Sequence, residues 1–387
     1  MIRATNVKRG RICADGLIRI KREAIPQSRN AFLKAGDIVV VRSGAYTGDV
    51  AMVTEEWAGS VAGYDLVVSL GDKVDPSFCS FNLLGDYVQT YFRSQSARSA
   101  QPHLNRHQLE STEIPIPPLL EQRRIAKVLR VVQLAIQQQQ RLLAVTTDLK
   151  RTLLDQLFTQ GLRDEPQKQT EIGLVPKSWE VKPLDDYLAE AQYGLSEKGA
   201  ATGRYPVLRM TNQQQGRISP DKLQYVELAT KQFHKFRVEK GDVLFNRTNS
   251  FELVGRTAIF DIDGDFVFAS YLIRLRTDAN RLRPYFLNHY FNWDTTQVRL
   301  KSIATRAISQ SNISATRLRG FLVPIPKLDE QDEIVSSIDC LDQKLACHGR
   351  KKRLIEDAFR TLLYQLMTAQ VRVNDLDLLQ LEAAAAV

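Results

Sequence analysis

Two stretches of about forty residues, each with a seven-residue apolar repeat and no internal proline, restrict this chain to folds built around two long helices. In the first stretch Ile125, Val132, Gln139, Thr146 and Leu153 form one row, and Leu129, Ile136, Leu143, Lys150 and Leu157 form its companion. In the second, Ile334, Leu341, His348, Ile355 and Leu362 form the row, with Ile338, Leu345, Lys352, Phe359 and Leu366 alongside. Adding 209 to each position of the first stretch gives its counterpart in the second, so the seam itself is duplicated. A heptad pattern held over about five repeats is a coiled-coil seam rather than an ordinary surface helix. At ~1.5 Å per residue each rod is on the order of 55–60 Å long. If the two helices pair antiparallel within the chain, the polar layers at Gln139 and His348 face each other. The alternative places each helix in a separate globular core.

Each helix is preceded by the same words. Pro115-Ile116-Pro117-Pro118-Leu119-Leu120-Glu121-Gln122 returns as Pro324-Ile325-Pro326-Lys327-Leu328-Asp329-Glu330-Gln331. The prolines hold the backbone extended, which predicts helix only after Glu-Gln, running to about Gln160 in one copy and Ala369 in the other.

The repeat extends beyond the helices. Ile2-Arg3-Ala4-Thr5-Asn6 matches Leu208-Arg209-Met210-Thr211-Asn212 at a shift of 206, and Gly36-Asp37 with its apolar run matches Gly241-Asp242 at 205. Small drifts in offset are what loop insertions produce. Each Gly-Asp reads as a turn ahead of a buried strand, Ile38 to Val41 or Val243 to Phe245. Tyr87 to Phe92 and Tyr285 to Phe291 read as short helices. The second copy also carries a lead-in segment, Glu171 to Val207, that the first copy lacks, since Met1 stands one residue before the matching Ile2. Three readings are open: the first domain does without it, the tail from Gln370 supplies part of it, or the natural start lies upstream.

The formal charge of +9 admits a polyanionic partner without proving one. No run approaches the eighteen or so apolar residues of a membrane span, and the N-terminus has no signal-peptide core, so the expectation is a cytoplasmic chain without membrane contact. Cys13, Cys79, Cys340 and Cys347 form no CxxC pair, which favours reduced thiols. Catalytic signatures are missing: there is no phosphate loop, GxGxxG, HExxH or GxSxG. His103 and His107 lie four apart but with no carboxylate between them, and His348 suits a tolerated polar layer; no metal site is expected.

Basic residues concentrate among polar ones. Residues 1–42 carry a balance of +7, residues 204–256 one of +5, and Val298 to Arg319 holds five basic groups and no acid. Arg and Lys suit phosphates and guanine edges; Asn and Gln suit adenine edges. Comparable loops follow the same strand in both copies, favouring recognition over a solvated basic face. The candidate DNA-binding residues are Arg3, Thr5, Asn6, Arg42, Ser43, Tyr46, Thr47, Gln101, His103, Asn105 and Arg106 in the first copy. In the second they are Arg209, Thr211, Asn212, Arg247, Thr248, Asn249, Ser250, Arg306, Ser309, Gln310 and Asn312.

Two strand-rich units, each followed by Pro-Ile-Pro…Glu-Gln and a long helix, together with Gly173-Leu174-Val175-Pro176-Lys177-Ser178-Trp179, resemble the specificity subunit of type I restriction-modification enzymes. The resemblance implies an α+β chain: two tandem strand-rich target-recognition domains separated by an antiparallel pair of long coiled-coil helices, with an internal pseudo-two-fold repeat. The corresponding boundaries are a first domain over 1–114, a spacer over 115–160, a second domain over 161–323, a spacer over 324–369 and a tail over 370–387. It further implies a non-catalytic subunit that reads a split, asymmetric site in double-stranded DNA. Two methyltransferase (modification) subunits, which use S-adenosylmethionine, would dock on it, and a restriction/translocase subunit using ATP and Mg would join them. This chain itself would bind no cofactor.

Rigid helices between two duplicated basic domains suit half-sites about one DNA turn apart, ~34–36 Å. A coiled-coil adaptor that binds only proteins would leave the basic loops unexplained, and a self-contained DNA-modifying enzyme would need a cofactor site that the sequence does not show.

Overall fold

The computed structural model describes residues 1–25, 32–96, 102–306 and 310–376. The chain divides into two compact units, Met1–Leu143 with Cys347–Val387, and Ala144–Ala346.

The first unit opens with β1 (Val7–Lys8) and β2 (Arg11–Ile12), an antiparallel pair with Val7 opposite Ile12. Its central sheet is β3 (Ile38–Val40) between β4 (Val50–Met52) and β5 (Leu66–Val68), antiparallel on both sides. Ile38, Val39 and Val40 are all fully buried, as a continuous apolar run requires. The turn ahead of β3 forms because Gly36 adopts φ +90°, open to glycine without steric cost, and Asp37 accepts a hydrogen bond from the Lys34 amide at 2.7 Å. Helix α1 (Pro76–Leu84) starts where Asp75 caps the Phe78 amide and Pro76 fills the first turn. It is followed by α2 (Asp86–Ser96), α3 (Arg106–Glu110) and α4 (Leu119–Gln160).

The second unit begins with the hairpin of β6 (Gln167–Thr170) and β7 (Gly173–Pro176), followed by β8 (Glu180–Pro183) and β9 (Leu188–Tyr193). Next come β10 (Tyr205–Leu208), β11 (Gln213–Gln214), β12 (Arg217–Ile218), β13 (Gln224–Val226), α5 (Thr230–Phe236), β14 (Val243–Asn246), β15 (Thr248–Asn249), β16 (Thr257–Ile259), β17 (Val267–Phe268) and β18 (Leu272–Thr277). The chain ends through α6 (Pro284–Asn292), α7 (Asp294–Ser302), β19 (Thr305–Arg306), β20 (Ser311–Asn312), α8 (Ala315–Arg319), β21 (Leu322–Ile325) and α9 (Leu328–Met367). The main sheet runs β11-β12-β16-β14-β18-β9, with β14 at its buried centre, the position β3 holds in the first unit. The lead-in segment earns its length here: β8 pairs with β21, which carries Pro-Ile-Pro, and β9 completes the sheet edge. Ile325 is accordingly 7% exposed, whereas its counterpart Ile116, with no strand partner among the described residues, is 56% exposed.

Both long helices start four residues earlier than the prolines suggested, at Leu119 and Leu328, and so include Glu-Gln. The reason is side-chain bonding. Buried Gln122 donates to Pro117 O (2.7 Å) and accepts from the Asp75 amide (2.8 Å), clamping the first turn to the start of α1. Gln331 does the same with Pro326 O (2.9 Å) and the Arg283 amide (2.7 Å) ahead of α6. The second helix stops at Met367 instead of Ala369, which takes φ +56°.

Helix pairing is antiparallel within each unit. In the first, Ile125 and Leu129 of α4 share a core with Leu362, Leu363 and Leu366 of α9, while Val132 and Ile136 are also buried. Gln139, 3% exposed, meets His348 Nδ1 at 2.9 Å, so two residues one repeat apart touch each other. In the second unit Leu153, Leu157 and Phe158 pack with Ile334 and Ile338, Leu341 is buried, and Lys150 pairs with Asp342. Ile355 is half-buried.

After α9, residues 370–376 turn back onto the first unit. Val373 is buried among Phe78, Phe81, Ile125 and Leu366, Arg372 pairs with Glu121 at 3.4 Å, and Arg124 bonds Asn374 at 2.6 Å. In the second unit the residues after α4 occupy the matching place: Leu162 N donates to Glu330 (2.9 Å) and Arg163 pairs with Asp329 and Glu333. Arg372 and Asn374 in the first unit thus contact the start of α4 as Leu162 and Arg163 in the second contact the start of α9, where Trp179 Nε1 also bonds Glu330 at 3.1 Å.

Candidate nucleic-acid interface

In each unit the central strand ends in a loop that a second loop straps down. Leu104 N donates to Arg42 O at 2.8 Å, and Ile313 N donates to Arg247 O at 2.9 Å, the same contact one repeat apart. The arginine in each loop is then oriented by a polar side chain from the strap. Arg42 Nε donates to His103 Nε2 at 3.3 Å, and Arg247 Nη2 lies 3.5 Å from Asn312 Oδ1.

Around Arg42, Ser43 bridges His103, and the Thr47 hydroxyl donates to Gly44 O (2.7 Å) and Pro102 O (3.2 Å). Tyr46 is half-exposed. The Arg42 amide donates to Asp65 at 3.2 Å, and burial pushes the Asp65 carboxyl above its ordinary pKa, partly offset by that bond. Asn105 and Arg106 are committed locally: Asn105 caps α3 through the Gln108 amide (2.9 Å), and Arg106 pairs with Glu110 (2.7 Å) on the surface.

Around Arg247, β15 and β20 pair so that Thr248 faces Asn312, whose Nδ2 donates to the Thr248 hydroxyl at 2.6 Å. Asn249 accepts from the Ser250 amide. The Arg247 guanidinium also lies 4.7 Å from the Tyr193 ring centre and 3.3 Å from Ser270 O. Arg306 stacks on Phe251 at 3.8 Å, and Gln310 is exposed beside it in the chain. Gln101 and Ser309 lie outside the described residues.

Six of the candidates sit elsewhere, and two of these are corrected outright. Asn6 and Asn212 are fully buried. Asn6 accepts from Arg3 N (3.0 Å) and donates to Cys13 O and Asp15 O, while Asn212 accepts from Arg209 N (3.0 Å) and donates to Ser219 O and Asp221 O. A short amide that bonds its own loop makes a turn, and no polar group is left over for a base. Arg3 and Arg209 close the same loops through Gly16 O (2.6 Å) and Lys222 O (2.7 Å); only Thr5 and Thr211 are exposed.

Sequence reasoning missed a pair of tyrosines. Tyr64, 87% exposed, and Tyr271, 46% exposed, precede β5 and β18 at equivalent positions next to the two arginine loops. Their signal was available, since the shift of 207 lies within the drift of the repeat. Each loop pair thus presents an oriented guanidinium, hydroxyl groups and an exposed tyrosine ring, with the His103 imidazole in the first and the Asn312 and Gln310 amides in the second. That set can bind phosphates, read base edges in a groove or stack on bases.

The family description "Type I restriction modification DNA specificity domain" matches residues 2–146 and 176–357. A putative type I restriction enzyme MjaX specificity subunit of Methanocaldococcus jannaschii is 31% identical over 218 residues, 56% of this chain and 51% of that one. The MjaVIII specificity subunit of the same organism is 25% identical over 368 residues, covering 90% of this chain and 82% of its own. A crystal structure of the S subunit of a type I restriction-modification system from M. genitalium shares the fold, with a TM-score of 0.59 at 15% identity, covering 90% of this chain and 91% of that one.

Proposed function

Because the chain belongs to the family of type I restriction-modification DNA specificity subunits, we propose that its two domains read the two halves of a split, asymmetric DNA site through the loops at Arg42 and Arg247. The observation that carries this is the strapped arginine loop built twice on non-identical side chains: His103 orients one guanidinium and Asn312 the other. A strand-anchored loop holds its side chains in place, which base-edge readout needs. Different residues at equivalent positions give different half-sites. The paired long helices set the gap between those halves.

In this proposal the chain contributes no catalytic group. Two modification subunits supply methyl transfer with S-adenosylmethionine, and a restriction/translocase subunit working with ATP and Mg joins the same assembly. The test is to map methylated adenines in DNA exposed to the assembled methyltransferase complex. A two-part, non-palindromic motif with a constant gap is expected. An uninterrupted or palindromic motif would refute the split-site reading.

A further inference from the structure

The second unit neutralises one charged crossing that the first leaves open. In the second, Arg217 of β12 is paired with Asp261 (2.6 Å) and Asp339 (3.1 Å). Asp339 also faces His289 Nε2 at 3.3 Å, and Asp342 pairs with Lys150. Following the repeat, the matching residues of the first unit are Arg11, Thr54, Arg130, Phe81, Gln133 and Phe359. Both acids of the arginine are gone, and a second arginine stands where Asp339 would be. The side chains of Arg11 and Arg130 make no ion pair or hydrogen bond among the described residues, and Arg11 Nε is buried without a partner.

The two arginines line one cavity of about 310 Å³ together with Trp57, Phe81 and Leu134. Exposed Glu56 lies on its rim, leaving two cations against one anion. Arg130 is exposed and Arg11 half-buried with its Nε shut off from solvent and unpaired, so an acidic group entering the cavity meets two guanidinium groups that no carboxylate neutralises among the described residues. The cavity lies at the opposite end of the β3–β4 hairpin from the Arg42 loop, since Thr54 and Trp57 follow β4 whereas Arg42 to Gly48 precede it. A small anion would leave Leu134, 51% exposed on α4, and half-buried Trp57 in water.

We propose that this cavity receives an acidic side chain, flanked by an apolar one, from the modification subunit that binds this half of the chain. The inference rests on the proposed partnership and adds an asymmetry to it: the second unit has filled the equivalent place with its own Asp339, so the two modification subunits bind inequivalently.

The test uses the full chain and the modification subunit of its own system. Arg130→Asp gives Arg11 the acid that Arg217 already has. Binding of one of the two modification subunits is expected to weaken about ten-fold or more, while the melting temperature of the lone chain rises. Arg11→Gln is expected to weaken the same copy without that rise, which separates a docking role from a folding one. Unchanged affinity of both copies, or equal loss at both, overturns the docking site alone. A wild-type chain that binds no modification subunit overturns the partnership and the docking site with it.

Discussion

At the scale of single residues, the decisive distinction is between polar side chains that serve their own loop and those left to face outward. Asn6 and Asn212 belong to the first kind. Arg247 belongs to the second, because its contacts with Asn312 and Tyr193 orient the guanidinium without a carboxylate to neutralise it. Arg247→Ala should therefore weaken specific DNA binding by about 1–3 kcal/mol while subunit assembly survives, as read by a gel shift beside sedimentation. Loss of assembly would assign Arg247 a structural role. Asp339 makes a different prediction. The hydrogen bond from His289, opposed by burial and helped by the charges of His289, Arg217 and Lys150, holds its carboxyl below the ordinary value of 3.8. A depressed carboxylate stabilises the fold above its unfolded value and loses that contribution as pH falls through the folded one. Acid melts of Asp339→Asn should show a flatter dependence below about pH 4 than the wild type.

At the scale of elements, the long helices were legible because a heptad repeat declares both the secondary structure and the face that is buried. Their first turns were not, because proline propensity points one way and a buried glutamine in the same turn overrides it. The clamp by Gln122 and Gln331 depends on carbonyls and amides from distant loops, which no local pattern reports. The turns at Gly36 and Gly241 were legible for the opposite reason: glycine and aspartate fix them within four residues. Inserting four residues near Gln160, about one helical turn, should lengthen the gap between the two half-sites by a measurable number of base pairs. An unchanged gap in the methylated motif would remove the helices from any role in spacing.

At the scale of the whole molecule, the duplication was the most informative property of the sequence, since it located both loops and both helices at once. What it could not disclose is how the copies have diverged in three dimensions. Among the described residues the first unit is packed by the segment after α9 through Val373 and Arg372, whereas the second is packed by β8 and β9. The candidate interface was found in outline because Arg42 and Arg247 follow matching strands. The straps at His103 and Asn312 come from far along the chain, and Tyr64 and Tyr271 carry no motif of their own. Modularity at this scale predicts that exchanging residues 42–106 for those of a relative changes one half of the recognised motif and leaves the other intact. A change in both halves would mean the units are not independent readers.

The contact between Gln139 and His348, which occupy the same place in the two copies, carries a last consequence. The two helices meet at equivalent positions of the repeat, which gives their pairing a local two-fold symmetry, so a fragment encoding one copy alone should pair with a second copy of itself, Gln139 against Gln139. Two such fragments should zip together head to tail, and the doubled product would favour an inverted, mirror-like target in place of the lopsided one.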